Sequence, residues 1–517
     1  MFRLVAHALA AAVVAVAIIG VTPASANTMH LSANGTGQVL LFPYYTARNG
    51  NASLLSLVNT TINAKAVRVN VREARGGFVV AQINIYLSAK DVWTAAIVSD
   101  SDSAQIVSND TSCTAPLIAN GLPFSAGAYS GDAASQISRE RTREGYIEVI
   151  EMATIPNNTS TGRSVTHSAG VPACMRASPA ITSVTYEPPA ADLLAPTGGL
   201  MGSLSFVNVV KGMLASGVPA VIESFWLTGP NAPAPRAVPA NSSAMDLTSG
   251  KNTSVAFAAT SAAFVSGGTT NRYIRDTERF TARFATSIDA LSALLMTSSV
   301  YTEYAFTQDQ LINTLVVLTM PTKPYYIFSD PRSPSLGPFS SLWDKAFAHA
   351  CENISVGAYT REEVTASTPD DFGTPPPRPP SATCSVVNPL VSLTNLVYFV
   401  YGLPTADDPT FFGSPLALGF MAIQNGGATV PTPGKEGGWV EFGWTSSSAK
   451  LRPLEASVYR RNAAGNLLWQ PVDITLTGLP VIGFTLSQAA YQSGSPQQNY
   501  ADAVTLRSLR SVVVTTP

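Results

Sequence analysis

Between residues 53 and 98 short apolar runs alternate with turns, and this periodicity restricts the fold more than any other feature of the chain. Residues 53–59 (SLLSLVN), 67–71 (VRVNV), 78–87 (FVVAQINIYL) and 93–98 (WTAAIV) are rich in β-branched and aromatic residues, and Asn-, Gly- and Lys-bearing turns separate them. Runs of that length and composition are strands. In VRVNV the alternation is strict: Val67, Val69 and Val71 share one face, and Arg68 and Asn70 share the other. A strand of this kind is expected to pack on one side and to be solvated on the other. Four such strands in succession predict a β-sandwich of immunoglobulin-like type.

The pattern extends along the chain. Leu204-Ser205-Phe206-Val207-Asn208 echoes Leu55-Ser56-Leu57-Val58-Asn59, and residues 220–226 (AVIESFW) follow as a further strand. Tandem sandwiches account for the echo; so does the common way in which a strand runs out into a turn. Residues 145–152 (GYIEVIEM) read as another strand. One helix start is legible, with Thr286 or Ser287 as the capping hydroxyl, Asp289 in the first turn and good helix formers over 290–296. Pro369 and the run 375–380 (PPPRPP) form an extended linker that cannot enter a sheet. Strands resume at 391–401, 416–423, 438–444, 454–459 and 467–470, the last two flanking a hairpin loop, 460–466. The expectation is a mostly β chain of tandem immunoglobulin-like sandwiches, with long loops and one or two accessory helices. Its regions are a first sandwich over 27–112, a loop-rich insertion over 113–190, a second sandwich with a helix over 191–330, a proline-rich excursion over 331–385 and a C-terminal β region over 386–517.

The compartment follows from the N-terminus and the cysteines. Arg3 precedes an apolar run, 4–21, interrupted only by His7, and Ala24-Ser25-Ala26 has the small-residue spacing that signal peptidase reads. Residues 1–26 therefore read as a secretory signal peptide, and the protein as secreted or periplasmic, with association to the cell surface left open. No later run reaches the ~20 apolar residues of a spanning helix. Cys113, Cys174, Cys351 and Cys384 are an even set, which in an oxidising compartment reads as disulfides. Of the three connectivities, Cys113 with Cys174 and Cys351 with Cys384 is favoured because each pair brackets a loop-rich stretch. Each closure would contribute roughly 4 kcal/mol in the chain-entropy model.

Only 12% of the residues are charged and the net charge is −2, so the chain offers no field to nucleic acid or to an anionic membrane. Low charge density also removes repulsion between copies, which is compatible with self-association. In residues 37–46 (GQVLLFPYYT), Pro43 donates no ladder hydrogen bond, so a first strand is expected to end there. As an edge strand it would close its own sandwich or pair with the sheet of another surface protein or another copy.

The segments GQVLLFPYYT (37–46) and GYIEVIEM (145–152), together with Met320-Pro321-Thr322-Lys323 and Gly483-Phe484, resemble landmarks of a family of secreted bacterial proteins whose biochemical role is uncharacterised. The resemblance implies an exported, β-rich protein and carries over no catalytic residue.

Chemistry is sparsely signalled. His30, His167 and His349 lie in unrelated segments, and no G-x-S-x-G elbow or H-E-x-x-H helix occurs. Asp100 and Asp102 lack the Gly and the distal Glu of an EF-hand loop. No cofactor or metal is expected. Glu148 and Glu151, three apart on a strand, face opposite sides and do not pair. Trp439-Val440-Glu441-Phe442-Gly443-Trp444 is the sharpest local signal: Trp439 and Glu441 share a strand face and offer a sugar a ring and a hydrogen-bond acceptor. A core strand with one rim carboxylate is the competing reading. The expected role is structural or interactive at the cell surface or in the surrounding matrix, without evident catalysis. The alternatives are a carbohydrate-binding or carbohydrate-cleaving protein and a self-assembling filament or layer subunit.

Overall fold

The computed structural model describes residues 28–515 apart from 169, 176–178, 229–233, 260, 267–268, 274–277, 308–311, 329–336, 361–364, 367–388, 402–413, 415–416, 423–435, 445–449, 462–464 and 492–497. The signal segment, the proline run and Cys384 lie outside the described residues. The described chain is mostly β, with few and short helices. A seven-stranded sheet is ordered His30–Leu31, Ala220–Glu223, Val39–Thr46, Glu144–Ile155, Ala64–Glu73, Val79–Leu87 and Cys113–Ala115. A six-stranded sheet faces it, ordered Met213–Gly217, Leu200–Asn208, Ala52–Asn59, Val92–Asp100, Ser103–Val107 and Leu122–Pro123. Val67, Val69, Val71, Ile147 and Val149 meet Leu55, Leu57, Trp93 and Phe206 between them. The echoing segments are direct neighbours: Leu55 lies opposite Leu204 in the six-stranded sheet.

A third sheet runs Ala417–Ala422, Thr394–Tyr401, Ile312–Thr319, Ile482–Tyr491 and Gln498–Thr505. One of its faces extends the first core, with Leu315, Val317, Phe484 and Leu486. The alternate residues Val316, Leu318, Val397 and Phe399 enter a second core under a five-stranded sheet ordered Thr365–Ala366, Ser355–Thr360, Gly437–Gly443, Ser299–Ala305 and Arg507–Leu509. This third sheet is thus a shared middle layer, apolar on both sides as such a layer must be. The helix Ser287–Leu295 begins where expected, with the Thr286 hydroxyl accepting from the Asp289 N–H. The predicted hairpin is present as Glu455–Arg461 and Leu467–Pro471.

Two expectations change. The Arg68 and Asn70 face is not solvated, because every residue of Ala64–Glu73 is buried. Residues 237–247 cover it. Arg68 donates to the carbonyl oxygens of Pro239 (2.7 Å), Ser242 (3.1 Å) and Ala240 (3.2 Å), and Asn70 donates to that of Met245 (3.0 Å). The alternation was right, but a polar face needs only partners, and backbone carbonyls serve as well as water. The first strand also does not end at Pro43 but runs from Val39 to Thr46. The strand Ala220–Glu223 pairs with it only as far as Leu41, and the Glu144–Ile155 ladder has its irregularity between Gly145 and Ile147, opposite Pro43. No ladder bond is therefore required of Pro43 as donor, and its carbonyl accepts from Thr319 Oγ1 at 2.6 Å.

The strand Glu144–Ile155 lies at the centre of the seven-stranded sheet and is buried at all positions. It carries three glutamates, and each meets a cation: Glu144 with Arg48 at 2.8 Å, Glu148 with Arg72 at 2.7 Å, Glu151 with Lys65 at 2.6 Å. At the end of the neighbouring strand, Glu73 meets Arg141 at 3.1 Å. Burial pushes the Glu148 and Glu151 carboxyls up from their ordinary range, and the facing Arg72 and Lys65 pull them back. The Glu151 oxygens also accept from the Thr197 and Gly198 N–H groups at 3.0 and 2.7 Å. Two glycines hold strands at a closeness no side chain permits: a Cβ on Gly145 would lie 1.8 Å from the Arg72 carbonyl oxygen, and one on Gly483 1.9 Å from that of Val317.

Removing one partner of a buried pair leaves the other uncompensated, a loss of about 3–5 kcal/mol. Arg72→Met should reduce stability by that order in urea denaturation, and the double variant R72M/E148Q should cost less than R72M alone. A second signature lies at Lys323, which is buried 3.8 Å from Glu352 and donates to the Ala350 carbonyl oxygen at 2.6 Å. Burial lowers its ammonium to about 8, against the opposing pull of Glu352. The unfolded chain holds that proton to about pH 10.4, so between pH 8 and 10 the unfolded state binds more protons and this site's contribution rises with pH. Below pH 8 the full cost of the buried charge is present. The wild-type chain should therefore gain stability relative to K323M/E352Q between pH 8 and 10, a difference that urea midpoints at the two pH values will read.

Candidate functional site: an open aromatic and acidic sheet face

The strand Gly437–Gly443 alternates Val440 and Phe442 inward with Trp439 and Glu441 outward, as the period of two requires. Its neighbours add residues to the same outer face. Trp439 lies opposite Tyr359 on one side and Glu303 on the other; Glu441 lies opposite Gly357 and Tyr301; and Tyr301 in turn lies opposite Arg507. Beneath them Ala358, Val440, Phe442, Val300 and Tyr304 belong to the second core. The site therefore stands on four hydrogen-bonded strands.

The Tyr359 and Trp439 rings stack with centroids 4.1 Å apart and planes 13° from parallel. Because these residues oppose each other on adjacent strands, the rings stand side by side across the sheet. One face of the indole is spent on tyrosine. The other side of Trp439 is the strand Ser299–Ala305, where Glu303 is directly opposite. Glu441 stands two residues along the same strand as Trp439, roughly 6.7 Å away by strand rise. Trp439 is 41% exposed. Among the described residues neither the Glu303 nor the Glu441 carboxylate has an ion-pair or hydrogen-bond partner. The arrangement offers an aromatic surface beside two uncommitted acceptors, with the Tyr359 ring lying over Gly357 next to Glu441.

Sequence reasoning found Trp439 and Glu441 and missed Tyr301, Glu303, Tyr359 and Arg507. The alternation of Tyr301 and Glu303 with Val300 and Tyr304 was available in the sequence, but no local signal says which strands lie beside Gly437–Gly443. The cysteine pairing Cys113–Cys174 is formed, with Cα atoms 6.1 Å apart. Cys351 is disulfide-bonded, and its expected partner Cys384 lies outside the described residues.

Histidine is less scattered than the sequence suggests. Ser88 Oγ lies 3.0 Å and Asp91 Oδ2 3.7 Å from His167 Nδ1, and Thr111 Oγ1 lies 3.3 Å from Nε2. Serine and aspartate share one ring nitrogen. On the other side the Thr111 hydroxyl donates to the Gly170 carbonyl oxygen at 3.2 Å, and the Asp91 carboxylate at 3.7 Å is beyond hydrogen-bond reach of the imidazole it would have to orient in a triad. The cluster fastens the short His167–Ser168 strand beside the Cys113–Cys174 bridge. The acidic cavity of about 230 Å³ lined by Glu73, Glu140 and Glu144 is equally committed, since Arg48, Arg75 and Arg141 share its walls. Among the described residues no group of three or more His, Cys, Asp or Glu could hold a metal ion, and Asp102 faces Arg139 at 3.4 Å. Among them also no helix is long and apolar enough to cross a membrane.

Compared with protein families, curated proteins and solved structures, the chain gives no significant match. Trp439→Ala should cost only about 1 kcal/mol, the worth of one aromatic stack on an open surface. Trp93→Ala, wholly buried, should cost about 3–5 kcal/mol. Parallel urea titrations of the two variants will separate a surface ring from a core ring.

Proposed function

We propose that this chain is an exported, non-catalytic interaction protein of the cell surface or surrounding matrix, and that it binds polysaccharide through the open face around Trp439. The observation that carries the reading is the exposed aromatic surface beside two uncommitted carboxylates. A pyranose presents apolar C–H faces to a ring and hydroxyls to acceptors, which is the complement of this arrangement. The rigid strand backbone keeps these groups in place before a ligand arrives, and an extended polymer suits a site open at both ends. Binding is favoured over cleavage because a glycosidase sets its two carboxyl groups across a cleft that encloses the bond to be broken. Here both carboxylates stand on an open face. The signal-peptide pattern and the disulfides support export, as does the resemblance of the four landmark segments to secreted proteins.

Affinity electrophoresis through soluble polysaccharides, combined with a glycan array, tests the reading. The mature chain should be retarded by at least one polymer. Trp439→Ala should weaken that interaction at least about tenfold, about 1.4 kcal/mol. Trp469→Ala, which alters the separate Tyr459–Trp469 ring pair on another sheet, should leave it unchanged. Retardation that survives W439A, or none with any polymer, refutes the assignment.

A further inference from the structure

The outer face of the six-stranded sheet carries no charge over Ala52–Asn59, Val92–Val98, Leu200–Asn208 and Met213–Gly217. Its inward residues fill the first core, so the alternate positions look outward. In register, Ser205 lies between Ser216 and Leu54, and Leu54 lies opposite Ala96. The next outward row joins Ser203, Ser56 and Thr94. Throughout the outward positions of these four strands, the side chains are aliphatic or hydroxyl-bearing apart from Met201. Leu54 (42%), Val92 (47%) and Leu214 (60%) are exposed, and at the tip of the adjoining hairpin Val209 and Val210 reach 84% and 90%. Charges stand at its margins, among them Lys90, Lys211, Arg143, Asp100 at the end of Val92–Asp100, and Asp110, whose carboxylate accepts from the Thr94 N–H at 3.1 Å.

Exposed sheet faces of soluble proteins ordinarily alternate with charged residues, and a contiguous apolar patch of this extent marks an interaction site. We propose that this face docks onto the same face of a second copy of the chain, sheet upon sheet, about a two-fold axis. The occupant follows from charge and size. A partner with charged groups would lose their hydration here and find nothing to pair with, so the partner surface must be flat, uncharged and able to exchange hydroxyl hydrogen bonds. A second copy of this face has all three properties. Its small serines alternate with leucine and valine in the relief that lets two stacked sheets interdigitate at about 10 Å. Four strands at ~4.8 Å and four outward positions at ~6.7 Å give roughly 500 Å² in plan for each copy. With side-chain relief and the hairpin tip, the buried total falls at the lower end of specific interfaces, which begins near 1,200 Å². An interface of that size fits a reversible association between copies. It is independent of the polysaccharide site, which lies on a different sheet.

Sedimentation velocity of the mature chain from about 1 to about 100 µM tests this. The wild-type protein should shift from monomer to dimer across that range. The double variant L54K/S205K, with two lysines on neighbouring outward positions at the centre of the face, should remain monomeric throughout. Leu54 is exposed, whereas Ser205 is half-buried with its hydroxyl 2.7 Å from that of Ser216 and lies directly opposite Leu54. The variant should therefore keep a cooperative urea transition with at most a modest fall in midpoint, measured at a concentration where both proteins are monomeric, which keeps a folding defect from imitating the result. W439A should dimerise normally. A wild-type chain that stays monomeric at the highest concentration overturns the proposal, as does dimerisation undiminished by L54K/S205K. Retention of this face on lipid vesicles or crystalline polysaccharide by a monomeric wild type overturns it too.

Discussion

The charges buried along the strand Glu144–Ile155 organise the rest of the molecule. A carboxylate in the interior is tolerable only with a cation and hydrogen bonds in place, so each of its three glutamates demands a particular neighbour at a particular height. Arg72 and Lys65 sit on the adjacent strand and fix its register against a slip by one residue, which would send every side chain to the wrong face. Arg48 follows the strand on the other side and ties down its turn. Tyr325 donates to Glu148 at 3.2 Å and accepts from Arg72 at 2.6 Å, which draws in the segment after the middle sheet. A chain with few charges has committed many of them to its interior. Its outer faces are correspondingly poor in charge.

That economy explains where binding chemistry can reside. The middle sheet is packed on both sides except at its edge strand Gln498–Thr505, where Tyr500 and Val504 are exposed, and the seven-stranded sheet is covered on its second face by residues 237–247, the helix Ser287–Leu295 and strands of a neighbouring sheet. The outer faces of the six-stranded sheet and of the Gly437–Gly443 sheet are among those left open. One is uncharged over four of its strands and hydroxyl-rich. The other gathers tyrosine, tryptophan and two carboxylates on rungs about 4.8 Å apart. Each stands on a hydrogen-bonded ladder above a filled core, so its side chains are positioned by strands rather than by loops, and little ordering entropy opposes a ligand.

Much of this was legible in the sequence because alternation and turn chemistry are local. The strand runs, the Thr286 cap and the Cys113–Cys174 pairing are set by neighbours in the chain or by simple bracketing of a loop. What escaped was long-range. The Arg68 and Asn70 face looks solvated until residues 237–247 arrive to accept their hydrogen bonds, some 170 residues downstream. Pro43 looks like a strand end until the partner strands prove to require no donor from it. Glu303 and Tyr359 reach Trp439 only because Ser299–Ala305 and Ser355–Thr360 flank Gly437–Gly443, an adjacency that no periodicity records.

The four landmark segments make the same distinction between fold and function. They are scattered in sequence but meet in space: Thr319, just before Met320, donates to the Pro43 carbonyl oxygen, and the Tyr146 hydroxyl donates to that of Pro321. Gly483 lies opposite Leu318, and Phe484 opposite Val317. At Gly145 and Gly483 the backbones approach too closely for any Cβ, so glycine there is a steric necessity. These segments therefore mark the place where three sheets converge, a site of packing that admits no ligand. The Trp439 face contains none of them. A chain could retain every landmark, and with them this architecture, while changing the side chains on its open sheet faces. Resemblance at the landmarks speaks for the scaffold alone.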